Sequence, residues 1–107
     1  MRIKIEPEHV KIMDAIMDDI PDAKAGKMFG SPAYKTNGKL AVAAFDGGIV
    51  VKVGAARTKE LVGKRGIAAF EPLPGRVWKD WVLITGDFEQ NRAIFAEAVQ
   101  YVLSQAR

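Results

Sequence analysis

The side chains that carry most enzyme chemistry are scarce in this sequence. It has no cysteine and a single histidine, His9. Thiol catalysis, a disulfide framework and a cysteine-based zinc site are thereby excluded, a histidine-rich metal site cannot be assembled within one chain, and no Ser-His-Asp arrangement is readable around the single histidine. Ser31 precedes Pro32 with no base at a readable spacing, and Ser104 lies near the C-terminus. His9 falls in the first turn of a helix, where it reads as a surface residue. Asp14 and Asp18 stand one helical turn apart, a geometry that holds a divalent cation only weakly and that solvation of a wet helix face explains as well. No segment has the glycine spacing of a phosphate-binding loop. No enzyme activity, metal or cofactor is expected.

Binding chemistry is better represented. Lys27, Lys39 and Lys52 come from three successive strands and Arg76 from a following loop, so they can meet on one face as an anion site; separately solvated cations are the alternative. Trp78 and Trp81 lie three apart at the entry to a strand, where alternation puts them on opposite faces and leaves one exposed. An exposed Trp78 flanked by Arg76 and Lys79 suits contact with protein or nucleic acid; otherwise it covers the sheet edge. Met28 and Phe29 read as core residues entering the first strand, with a ligand groove lined by thioether and ring as the alternative. Gly30 and Gly38 serve backbone geometry.

Charge sharpens the binding reading. Residues 1 to 22 carry three basic against six acidic side chains, a net of −3, whereas residues 24 to 79 carry eleven against three, a net of +8. A section this basic can present a positive face to nucleic acid or to an acidic protein, although no consecutive run of lysine or arginine concentrates it. The 107 residues, 49% hydrophobic and 27% charged, describe one soluble domain spanning 1–107. Met1 to Ile5 alternates polar and apolar residues and lacks the pattern of a secretory signal, so a cytoplasmic protein is expected. Leu40 to Phe45 and Ile49 to Val51 fall far short of the ~20 residues that span a bilayer, and no membrane segment is expected.

Periodicity predicts the elements that must position these residues. Pro7 suits a first helical turn, and Val10, Met13, Met17 and Ile20 recur at three- and four-residue steps, giving a helix from about Pro7 to Ile20 that Pro21 ends. Strands follow at Lys27 to Tyr34, Lys39 to Phe45 and Gly48 to Val53, joined by Asn37-Gly38 and Asp46-Gly47-Gly48 turns. A short helix over Ala55 to Lys64, strands at Ile67 to Glu71 and Asp80 to Thr85, and a last helix after Asp87 complete the chain. Asp87 and Gln90 have capping-box spacing, and Phe88, Phe95, Val99 and Val102 fall on one face behind them. The predicted order is α-β(3)-α-β(2)-α, a two-layer α+β domain with its long helices on one face of a five-stranded antiparallel sheet.

Lys27-Met28-Phe29-Gly30, Asn37-Gly38-Lys39, Gly48-Ile49-Val50-Val51-Lys52-Val53 and Gly75-Arg76 with Lys79 and Trp81-Val82 together resemble the N-terminal domain of the TfoX/Sxy competence regulators, most closely its small stand-alone relatives. The resemblance covers most of the chain. It implies a type III secretion chaperone-like α/β fold with the element order derived above. Full-length TfoX proteins carry a second, helical domain resembling helix-hairpin-helix modules, which is not expected here, and they act with a transcription regulator to switch on DNA-uptake genes. Stand-alone relatives usually show Gly-Arg-Pro-Met where this chain has Gly75-Arg76-Val77-Trp78. In the family pattern Trp81 is the regular tryptophan and packs, leaving Trp78 as the contact candidate.

The resulting expectation is a non-catalytic interaction and regulatory domain that binds a protein partner, linked by the resemblance to transcription or competence. Direct binding of nucleic acid by the basic section is the alternative. Unpaired edge strands make a homodimer the expected assembly.

Overall fold

A computed structural model describes residues 4–105. The alternation over Met1 to Ile5, and the charges of Arg2 and Arg107, therefore fall largely outside the described residues. Helix α1 spans Pro7–Met17, with Pro7 at its start and Met13, Ile16 and Met17 buried. It ends before the expected Ile20. Asp19 and Ile20 donate their N–H groups to the carbonyls of Ile16 and Met17, three residues back, at 3.2 and 2.9 Å. The last turn has tightened because Pro21 disfavours the α conformation at Ile20.

The expected first strand is two strands. β1 (Lys24–Met28) and β2 (Ser31–Thr36) pair antiparallel about a two-residue turn made by Phe29 and Gly30, whose φ angles are 52° and 78°. Two successive positive φ values define the hairpin turn whose twist matches that of the flanking strands. Asn37 and Gly38, at 51° and 76°, form the same turn between β2 and β3 (Lys39–Phe45). A bulge between Tyr34 and Lys35 shifts the β2–β3 register, leaving Ala41 without a partner opposite it. β4 (Gly48–Lys52) follows, then α2 (Ala55–Leu61), β5 (Ile67–Ala69) and β6 (Trp81–Ile84). The sheet is six-stranded and antiparallel throughout, in the order β1-β2-β3-β4-β6-β5.

Helix α3 covers Arg92–Gln105 and buries Ile94, Phe95, Ala98, Val99 and Val102. The capping box does not form. Asp87 has φ 51°, and its carboxylate accepts from Arg65 Nε at 3.1 Å, so the helix starts four residues later than that signal suggests. His9 also departs from expectation. It is half-buried against Phe88, ring centroids 5.3 Å apart, and its Nδ1 is enclosed without a partner.

The architecture is a two-layer α+β domain with two unequal faces. On one, α1 and α3 cover Val42, Ala44, Ile49, Val51, Val82 and Ile84 of the sheet. The opposite face presents Met28, Ala33, Ala43, Phe45, Val50 and Trp81, and packed on it are Phe70 and Trp78 from the segment between β5 and β6. A loop, where the first face has two helices, covers this second apolar surface.

Candidate functional site

The β5–β6 connection is shaped by a tight turn at its tip. Arg76 donates its N–H to the Leu73 carbonyl at 2.9 Å across Pro74 and Gly75, and Gly75 has φ 79°. Proline followed by a positive-φ glycine is the chemistry of a type II turn. Glu71 accepts from the Gly75 N–H at 2.6 Å and holds the tip from within. Trp78 then donates to the Phe70 carbonyl at 2.9 Å, closing the loop into a hairpin-like flap, and Arg76 stands exposed at its end.

Trp78 and Trp81 do not point to opposite faces. The Trp81 N–H bonds the Trp78 carbonyl at 3.2 Å, and Val53 and Gly54 both donate to the Asp80 carbonyl between them, at 2.9 and 3.0 Å. Residues 78–81 thus form a turn instead of an extended strand, and a turn brings side chains three apart to the same side. The two indoles lie 6.0 Å apart. Phe70 is 5.3 Å from Trp78 and 6.2 Å from Trp81, and it meets Phe45 edge-on at 4.8 Å. Such tilted and edge-to-face pairs satisfy the ring quadrupoles. Phe70 and Trp81 are buried while Trp78 is half-buried, so this cluster is a core that reaches the surface at one ring.

It reaches the surface again at Phe29. Met28 is core, as expected, but Phe29 is not: its ring is 60% exposed, touching Trp78 at 5.9 Å and Phe45 at 6.5 Å. Phe29 also holds the first left-handed position of the β1–β2 turn, which costs a non-glycine residue about 1–2 kcal/mol. The next hairpin fills that position with Asn37, whose short polar side chain tolerates it. A large ring is therefore displayed where neither burial nor backbone preference calls for one. Sequence reasoning placed Phe29 in the core because it read the segment as one strand; the signal for the turn was Phe-Gly immediately before Ser31-Pro32. Leu73 and Val77, on the flap, are 50% and 48% exposed.

The six binding candidates divide. Lys52 pairs with Trp81 and lies on the aromatic face, where it, Trp78, Lys79, Asp80 and Trp81 line a depression of about 390 Å³. Lys27 pairs with Pro32, opposite in phase to the buried Met28, which puts it on the helix side of edge strand β1. Lys39 pairs with Thr36, whose hydroxyl donates to the Asp22 carbonyl at 2.8 Å, also on the helix side and at the far end of the strands from Lys27. The four-cation anion site of Lys27, Lys39, Lys52 and Arg76 is not assembled. Strand alternation separates its members between two faces and two ends. What the aromatic face carries from its strands is Lys24, Lys35 and Lys52, with no aspartate or glutamate among its strand positions. No lysine makes an ion pair among the described residues; the five pairs found there all use arginine.

No cluster of three or more His, Asp or Glu with metal-holding geometry occurs among the described residues, and no helix among them is long and apolar enough to cross a membrane. Comparison of the chain with protein-family models, with curated proteins and with solved structures found no match.

Proposed function

We propose that this chain is a non-catalytic interaction domain that binds a protein partner through the surface formed by Phe29, Trp78 and the flap from Leu73 to Val77. The observation that carries the reading is the Phe29 ring, 60% exposed from a left-handed turn position. Strained residues persist where the surrounding structure holds them, and they concentrate at functional sites. An exposed aromatic beside aliphatic side chains, with arginine and lysine at the rim, has the composition of a protein-binding hot spot. Regulation of transcription or competence is the process that the TfoX/Sxy resemblance suggests for it.

Nucleic acid is the second reading, favoured by the lysines of the aromatic face and the lack of strand carboxylates there. Ring geometry weighs against it. Phe29 and Trp78 are inclined at 59°, so they offer no parallel pair of faces for successive bases to stack upon. Capture from nuclease-treated lysate by the full chain and by Trp78→Ala separates the readings. A protein retained by the first and lost by the second supports a protein partner; binding that nuclease abolishes, and that weakens steeply with salt, assigns the surface to nucleic acid.

A further inference from the structure

A second concave surface shares Val77 with the contact surface proposed above but is lined by neither Phe29 nor Trp78. Between α2 and the segment leading into β6 runs a groove of about 510 Å³, within the range of small-molecule sites, walled by Ala55, Thr58, Val62, Ala69 and Val77. Val62 and Val77 are 40% and 48% exposed along it. Lys59 and Lys79 line it as well, no carboxylate does, and neither lysine has an ion-pair partner among the described residues. Thr58 is more than nine-tenths buried, and its hydroxyl oxygen has no hydrogen-bond partner.

These features restrict the occupant. Added peptide strands are disfavoured because the outer edge of β5 is already closed at Ile67, whose N–H bonds the Lys64 carbonyl at 3.0 Å and whose carbonyl accepts from Gly63 at 3.2 Å. A second copy placed symmetrically on the groove would set Lys59 and Lys79 against like charges. The walls are small aliphatic groups without the convergent donors and acceptors that read a polar ligand. A featureless alkyl body with one anionic head satisfies walls and rim together. We propose that this groove binds a free alkyl carboxylate, its chain along Val62, Ala69 and Val77 and its head at Lys59 and Lys79.

The test is a titration of the isotope-labelled full chain with laurate below its micelle-forming concentration, followed by amide NMR shifts. The expected result is saturable, single-site change confined to Ala55 to Val62, Ala69 and Val77 to Lys79, with Kd at least tenfold weaker in both Lys59→Glu and Val62→Asp. Lys59 is exposed and unpaired, so its charge reversal leaves the fold in place and keeps the test valid if Val62→Asp perturbs packing. Dodecyltrimethylammonium, with the same chain and opposite charge, is expected not to compete. The proposal is overturned by non-saturating shifts, by shifts centred on Phe29, by equal binding of the cationic amphiphile, by an unchanged Kd in Lys59→Glu, or by binding to anionic vesicles without binding to laurate.

Discussion

Tyr34 joins helix to sheet through one hydrogen bond, its hydroxyl donating to Asp14 Oδ1 at 2.8 Å. Burial, then that bond, then the nearby charges of Asp14 and Asp18 push its pKa from 10.0 up to about 12. A group whose pKa is raised on folding stabilises the fold fully below its unfolded pKa, and the contribution is lost as pH climbs toward the folded one. Stability is expected to decline between pH 10 and about 12, and Tyr34→Phe should flatten that part of a urea-midpoint profile. Trp78 belongs to the same scale. Half-buried against Phe29, Phe70 and Trp81, it is part surface and part cover for the core, so Trp78→Ala should cost about 1–2 kcal/mol by urea denaturation, below the ~3–5 of a fully buried tryptophan. A loss in that upper range would make it core.

Among the elements, β4 and β6 approach so closely at Gly48 that an added Cβ would collide with the Ile84 carbonyl oxygen. Gly48→Ala is expected to destabilise by about 3 kcal/mol or more, whereas Gly86→Ala, with open space at its Cβ, should stay within about 0.5 in the same urea assay. Much of the element plan was legible because its signals are local. Asn37-Gly38 announces its hairpin, and Pro7 and Pro21 bracket α1. The misread parts depend on contacts distant in sequence. Asp87 looks like a cap until Arg65, 22 residues earlier, takes its carboxylate. Trp78 and Trp81 look opposed until Val53 and Gly54 bond the Asp80 carbonyl and bend the segment. The candidate lysines looked convergent because strand identity was readable while phase across the bulge and the missed hairpin was not; a single added turn or bulge exchanges the faces.

At the scale of the molecule, the two sides of the sheet are covered unequally: helices α1 and α3 seal one side, and the other is closed by a flap that leaves Phe29 and part of Trp78 at the surface. The free edges differ as well. β5 is three residues long and closed at Ile67, so β1, carrying Lys24 and Lys27, is where a second copy would add. Like charges along such an edge oppose pairing and are screened by salt. Any homodimer is therefore expected to strengthen with ionic strength in light scattering, and one that weakens with salt would place the interface elsewhere. The central claim, that the Phe29 ring is displayed for contact and not for folding, is tested most directly by urea denaturation of Phe29→Asn. Relief of left-handed strain, about 1–2 kcal/mol, should offset the lost contacts with Phe45 and Trp78, so stability is predicted to stay within about 1 kcal/mol of the parent. A loss of about 3 kcal/mol or more, the range of core phenylalanine truncations, would contradict it.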